Sequence, residues 1–362
     1  MYEGNENVSN RVIRVGVIGC GMIAQTMHLP YLKRLPHFEI VAMCDLSPGL
    51  VNQVADSYGV TKRYTDHHQL LAQTDVEAVF IATRDHAPVA IDAANAGKHV
   101  MSEKPIAFTL EDADKVIAAA KANNVKLMIA YMKRYDPGYE WAQSRFKQMK
   151  DIRLIRSHDF AGAFGMNSSL FDLMGANDLS EAVLKDGQAK MDADLVQAIG
   201  QDRAHMANAY SSLLHLSTHD STILRGAFGE PESVEYADIY GKGQTVAVLR
   251  YGNNTRCMWE MGVSSDRVPW DEHLVAYGSE QTIRLQFPYP WLHNAATTVH
   301  VTEKEDGAFI EKQVSASFDE AFRREWIHFH KCVTEDLTPI TNGEEARGDV
   351  KLMIDIVKAV RI

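Results

Sequence analysis

The hexapeptide Gly19-Cys20-Gly21-Met22-Ile23-Ala24 reads G-x-G-x-x-A. In a loop of this kind the first glycine permits a tight turn. The second lets a pyrophosphate approach the backbone, and a small residue at the last position lets the following helix pack closely on the preceding strand. The first turn of that helix, entered at Met22 and Ile23, offers unpaired N–H groups and a partial positive charge to the same anion. Asp45 stands near the ~20-residue spacing at which a carboxylate reaches a ribose diol. It would accept from both ribose hydroxyls and repel a 2′-phosphate. Leu46 and Ser47 follow it, not arginine, which favours NAD over NADP. The plainer reading of Asp45 is a cap on the next helix. A second spacing is His215-x-x-x-His219. Residues four apart share a helix face, so the pair could chelate a metal, but no H-E-x-x-H glutamate lies between them. Core histidines bonded to backbone carbonyls are a further reading, stronger for His215 than for His219.

These residues need elements to position them. Arg11 to Ile18 is a short apolar run ending in glycine, the pattern of a buried parallel strand. A helical pattern follows to Leu35, then strands at Phe38 to Asp45, Val76 to Thr83, His99 into the loop before Pro105, and Lys126 to Tyr131. Helices fall between them at Pro48 to Tyr58, Ala87 to Gly97 and Leu110 to Asn124. Such β–α alternation predicts an α/β, Rossmann-type domain over 1–131, preceded by a loose tail at 1–10. From 132 to 362 the rhythm changes. A helix at about Asp136 to Met149 leads to a strand at Ile152 to Phe160. A polar, mostly helical stretch then runs to about Asn208, and an apolar helix spans Tyr210 to Phe228. Strands dominate from Ser233 to Val301, and Tyr251-Gly252-Asn253-Asn254 is a hairpin signal. Two helices close the chain. The second domain is therefore expected to be α+β, with the closing helices able to pack back on the first.

Composition limits the partners. With Asp+Glu 48 against Lys+Arg 37 and a net charge of −11, the surface repels phosphate backbones, which disfavours nucleic acid. Cys20, Cys44, Cys257 and Cys332 form no C-x-x-C pair, so they read as reduced thiols of a cytoplasmic protein. The first residues lack a signal-peptide pattern. No apolar run approaches the ~20 residues of a spanning helix.

Four further motifs carry a resemblance. Ala82 to His86 reads A-T-x-x-H, and Ala96 to Pro105 reads A-G-K-H-V-M-S-E-K-P. Met132 to Pro137 reads x-K-R-Y-x-P, and Phe322 to Ala346 has the character of a closing helical region. Together with the glycine loop they resemble the Gfo/Idh/MocA oxidoreductases over nearly the whole chain. The resemblance implies a Rossmann domain followed by a large open, mostly antiparallel sheet that mediates homo-oligomerisation as a dimer or tetramer. It implies an NAD site that includes Thr83, His86, Glu103 and Lys104, with Lys104 between nicotinamide and a sugar-like substrate. His219 matches the histidine of the family's D-x-x-x-H motif, while His215 stands where the family has aspartate. That departure puts the usual relay in doubt. On this reading His219 is the general base and His215 binds a substrate hydroxyl or relays the proton. Arg134 and Tyr135 would frame the substrate, and His158 would line the pocket. The polar stretch at 165–208 is a candidate lid, receiver of a larger substrate, or subunit contact.

The expected activity is oxidation of a secondary hydroxyl of a sugar, glycoside or cyclitol, with C3 of a glycoside preferred. Glycoside cleavage through transient oxidation with tightly held NAD, and a non-catalytic ligand sensor, are the alternatives.

Overall fold

The computed structural model describes residues 9–162, 170–264 and 268–361. They form two compact units. The first comprises the chain through Tyr131 with Asp172–Ala193 and Phe322–Arg347; the second comprises Met132–Phe171, Asp194–Ala321 and the chain from Gly348. The segment Asp172–Ala193 thus belongs to the first unit, whereas the sequence reading placed all of 132–362 in the second.

The first unit is built on β1 (Ile13–Ile18), β2 (Phe38–Cys44), β3 (Lys62–Tyr64), β4 (Ala78–Ile81), β5 (His99–Ser102) and β6 (Leu127–Ile129). Their order is β3-β2-β1-β4-β5-β6, all parallel. β4 is buried along its whole length and β1 at every position but Arg14. That explains why both read as unbroken apolar runs: helices cover each face. The helices are α1 (Leu29–Arg34), α2 (Pro48–Tyr58), α3 (His67–Leu71), α4 (Ala87–Asn95) and α5 (Leu110–Ala122). Ser47, Asp66 and Thr109 cap α2, α3 and α5 with side-chain oxygens. A π-helical turn, Ala24–His28, precedes α1. Beyond β6, Thr341 pairs with Ile129 through two hydrogen bonds of 2.8 and 2.7 Å, joining the closing segment to the sheet edge.

The second unit opens with α6 (Pro137–Phe146) and β7 (Ile152–Ala161). Next in the chain is α7 (Glu181–Ile199), whose first part through Ala193 belongs to the first unit, followed in the second by α8 (Ala207–Ser212) and α9 (Thr218–Phe228), then β8 (Ser233–Tyr240), β9 (Gln244–Arg250), β10 (Arg256–Val263), β11 (Asp271–Gly278), β12 (Gln281–Gln286), β13 (Thr298–Glu305) and β14 (Ala308–Ser315). The chain ends with α10 (Ala321–Thr334), which from Phe322 belongs to the first unit, and α11 (Gly343–Ala359), which enters the second at Gly348. The eight strands run β14-β13-β12-β11-β7-β10-β9-β8, and only β7 and β10 are parallel neighbours. β7 alternates buried and less buried positions from Leu154 onward, as a sheet covered mainly on one face requires. The hairpin signal lies between β9 and β10, with Asn253 and Asn254 at φ 56° and 61°.

Candidate functional site

In the first unit the glycine loop follows β1 directly. Gly19 has φ +98°, and a Cβ there would lie 2.4 Å from the carbonyl oxygen of Ala82. Only glycine fits this turn. Gly21 differs: a Cβ on it would meet nothing within 4 Å. Its open face is the space a diphosphate needs, and Met22, Ile23 and Ala24 begin the helical turn behind it. Asp45 receives the Cys20 N–H at 2.8 Å and the Ser47 N–H at 2.9 Å. Its carboxylate therefore stands beside the loop, and the cap of α2 is Ser47. An open glycine face, a helix start and an adjacent carboxylate fit a dinucleotide.

Thr83 and His86 lie in the loop after β4. The Thr83 hydroxyl donates to the Asp85 carbonyl at 2.8 Å. His86 is buried and its Nδ1 lies 2.8 Å from the Pro105 carbonyl. Burial holds this imidazole below its ordinary value, so the neutral ring, donating from Nδ1, fixes the backbone just after Lys104. The Lys104–Pro105 peptide bond is cis.

Glu103 is anchored by residues that the sequence reading did not single out. His28 Nε2 lies 2.9 Å from Glu103 Oε1. The Trp326 indole N–H donates to His28 Nδ1 at 3.2 Å. An indole only donates, so Nδ1 accepts and Nε2 carries the proton toward Glu103. The other Glu103 oxygen accepts the Lys104 N–H at 3.1 Å. Burial raises the Glu103 carboxyl, but the His28 hydrogen bond and the neighbouring Lys104 charge outweigh it and leave it below its ordinary value. Glu325, 4.0 Å from His28 Nδ1, goes the other way. Burial and the Glu103 charge push it well up, which favours its neutral form. Lys104 is thus held at its backbone by a buried ionised carboxylate, with its side chain half-buried.

In the second unit the helical run from Ala207 to Phe228 contains a π-helical turn, Leu213–Ser217. His215 lies in it, exposed, with Nδ1 2.8 Å from the Ser211 carbonyl. His219 is half-buried on the first turn of α9. The next residue, Asp220, is buried and forms a carboxylate cluster with Asp159 and Glu272, their oxygens within 4.8 Å of one another. Lys133 pairs with Glu272 and sits 4.8 Å over the Phe287 ring. Burial pushes the Asp220 carboxyl up and the Lys133 ammonium down. The cluster ties α9 to β7 and β11 and so fixes the helix that carries His219.

Three expectations for this unit change. His158 alternates with Asp159 on β7, so its ring points away from the face on which Asp159 meets Asp220 of α9. There it lies 2.6 Å from Glu260 and stacks on His273 with ring centroids 4.7 Å apart. It does not come together with His219. Arg134 is buried, with Nη1 donating to the Thr222 carbonyl at 3.1 Å, and Tyr135 is 2% exposed. Both support α9 from within the unit's core and are too covered there to frame a ligand. At the other end of α9, Arg225 and Ser221 both bond Asp349 of α11, at 2.9 and 2.7 Å.

The polar stretch beyond β7 lies partly outside the described residues. Its described portion 172–193 engages the first unit. Gln25 of the turn before α1 exchanges hydrogen bonds with Met174 at 2.9 and 3.0 Å. Asp178 accepts from the Ser47 hydroxyl at 2.5 Å and the Gly49 N–H at 2.6 Å. Gln188 and Lys190 reach Arg84 and Asp85 at 2.8 and 2.6 Å. The segment therefore runs across the loops at the C-terminal ends of β1, β2 and β4, where an open parallel sheet binds its ligand.

Comparison with known proteins agrees with this geometry. Residues 13–131 match the Gfo/Idh/MocA model, described as an oxidoreductase family with an NAD-binding Rossmann fold. The match is confined to the Rossmann region of the first unit, which is similar to the NAD-binding domain of that family. Inositol 2-dehydrogenase of Salmonella typhimurium is 38% identical over 135 residues, which are 35% of this chain and 39% of that protein. The match thus spans well under half the length of that relative. An aldose-aldose oxidoreductase from Caulobacter crescentus, solved with glycerol, superposes with a TM-score of 0.74 at 19% identity, covering 97% of this chain and 98% of its own. A 3-ketoreductase from Actinomadura kijaniata, solved with NADP and TDP-benzene, gives 0.74 at 18% identity with the same coverage. These likenesses show the two-domain fold. Among the described residues no helix is long and apolar enough to cross a membrane.

Proposed function

We propose that the protein is an NAD-dependent oxidoreductase that converts a secondary hydroxyl of a sugar, glycoside or cyclitol to a ketone, reversibly, with C3 of a glycoside the preferred position. The observation that carries this reading is the clamp on Lys104: a buried, ionised Glu103 on one side and His86 on the carbonyl that follows. A chain that needed only a surface lysine would not need a buried carboxylate to hold it. A bound nicotinamide dinucleotide supplies the hydride acceptor. Gly19, Gly21 and the turn from Met22 to Ala24 would hold its diphosphate, and Asp45 its ribose. Lys104 donates a hydrogen bond to the reacting oxygen and stabilises negative charge as it develops there. His219 takes the hydroxyl proton. His215, exposed on the preceding turn, binds a further substrate hydroxyl. Homo-oligomerisation through the strand face that carries Arg156, His158 and Glu260 belongs to the same proposal, and light scattering on the purified protein tests it.

The inositol dehydrogenase relative and the 3-ketoreductase neighbour support a ring carbinol as the substrate class. The test is incubation with NAD and a panel of cyclitols, free sugars and glycosides, followed by mass spectrometry. A product lacking one hydride and one proton, with the carbonyl at C3 of a glycoside, is the expected result. A ketone at another ring position would keep the activity and reject the C3 assignment. Free sugar released from a glycoside without net ketone would reject the dehydrogenase.

A further inference from the structure

The first turn of α2 borders the carboxylate expected to bind ribose. Asp45 Oδ1 accepts the Ser47 N–H at 2.9 Å, so the Ser47 hydroxyl and the Gly49 N–H stand in the turn directly after the carboxylate that would hold the ribose. In a protein built for NADP, donors in this position would receive the extra phosphate. Here they are already taken. Asp178, more than a hundred residues away in sequence, places Oδ1 2.5 Å from the Ser47 hydroxyl and Oδ2 2.6 Å from the Gly49 nitrogen. Ser47 uses its remaining capacity to accept the Leu50 N–H at 3.0 Å. The fit is close: a Cβ on Gly49 would lie 2.7 Å from Asp178 Oδ2 and 3.0 Å from the Ala176 methyl. The two hydrogen bonds hold the Asp178 carboxyl below its ordinary value, so it is an anion at neutral pH. Neighbouring contacts keep the segment in register, with Gln53 donating to the Gly175 carbonyl at 3.2 Å and Gln25 bonded to Met174.

We infer that Asp178 is a cofactor-specificity residue: its carboxylate occupies the donors that a 2′-phosphate would use, and its charge repels that phosphate. The inference rests on the dinucleotide reading of the glycine loop and adds to it. Asp45 selects for a free ribose diol, and Asp178 fills the space beyond it. Two carboxylates from distant parts of the chain then exclude NADP, so removing Asp45 alone would leave a substantial preference for NAD.

The test is equilibrium binding of NAD and of NADP, by calorimetry, to the wild type and to Asp178→Asn, Asp178→Ala, Asp178→Glu and Asp45→Ser. The wild type should bind NAD and bind NADP far more weakly. Removing a like charge from the phosphate position should tighten NADP binding by about tenfold or more in Asp178→Asn and Asp178→Ala. NAD affinity should stay nearly constant, and Asp178→Glu should keep the exclusion. The Asp45→Ser, Asp178→Ala pair should favour NADP more than either single change. Equal weakening of both dinucleotides would make Asp178 a structural tie and overturn the inference, as would an unchanged NADP affinity. NAD binding with no Asp178 effect rejects the inference alone, whereas a wild type that binds neither dinucleotide rejects the glycine-loop reading with it.

Discussion

The two units present their chemistry in different ways. In the first, each candidate residue sits in a short contiguous motif at the C-terminal end of a parallel strand: Gly19 and Gly21 after β1, Asp45 after β2, Thr83 and His86 after β4, and Glu103 and Lys104 after β5. A parallel sheet brings those ends to one edge, so the motifs converge without further instruction. In the second unit the candidates lie on a helix and on a sheet whose faces differ, and a single residue step decides which face a side chain takes. His158 and Asp159 are neighbours in sequence, yet only Asp159 meets α9. Motif reading is therefore strong for the first unit and register-limited for the second.

The contrast can be broken in order of expected effect. Lys104→Ala should lower kcat by about 10³-fold, since both a hydrogen bond and a charge at the developing alkoxide are lost, while NAD affinity measured by calorimetry stays near wild type. If NAD binding fell as steeply as turnover, Lys104 would be a cofactor anchor and not a catalytic group. Next, His28→Leu removes the partner of a buried ionised Glu103 and should cost roughly 3 kcal/mol in denaturant unfolding. A loss no larger than that of an exposed substitution would mean that Glu103 is not held as an anion. Third, His219→Gln should reduce kcat by about 10²-fold, and His158→Gln should leave it nearly unchanged. The reverse ranking would show that the wrong face of β7 has been assigned to the chemistry.

The smallest effect concerns pH. The Asp178 carboxyl is lowered by the Ser47 hydroxyl and the Gly49 N–H. A depressed acid stabilises its contact above its unfolded value, and that stabilisation is lost as pH falls through the folded value. The Gly49 amide resonance should therefore hold its position from neutral pH through ~4, the ordinary range for aspartate, and shift only below it. A midpoint at or above ~4 would mean that the contact does not form in solution.

Much of the fold was legible. Apolar runs alternating with helical patterns marked the parallel sheet, and Tyr251-Gly252-Asn253-Asn254 marked the β9–β10 hairpin, where both asparagines take positive φ. The glycine loop and the E-K-P segment marked the candidate residues of the first unit. What stayed hidden depended on contacts between residues far apart. His28 and Trp326 meet over Glu103 across nearly the whole chain, and Lys133, although inside the x-K-R-Y-x-P motif, meets a distant Glu272 that the motif does not point to. Arg134 was expected to frame the substrate from its place after the last Rossmann strand, but it is buried and bonded to the Thr222 carbonyl of α9. The π-helical turn at Leu213–Ser217 also has no marker in the residue pattern. The placement of 172–193 against the first unit was missed for the same reason: a polar stretch shows no core face, and its register is set by single side chains such as Asp178.

The measurement that bears most directly on the account is the absorbance of reduced nicotinamide when the protein is mixed with NAD and a panel of cyclitols, free sugars and glycosides, with Lys104→Ala alongside. A rise with NAD is expected for at least one ring polyol, with a much weaker response with NADP and almost none in the variant. Equal rates for Lys104→Ala and wild type, or no rise with any compound while NAD still binds, would contradict it.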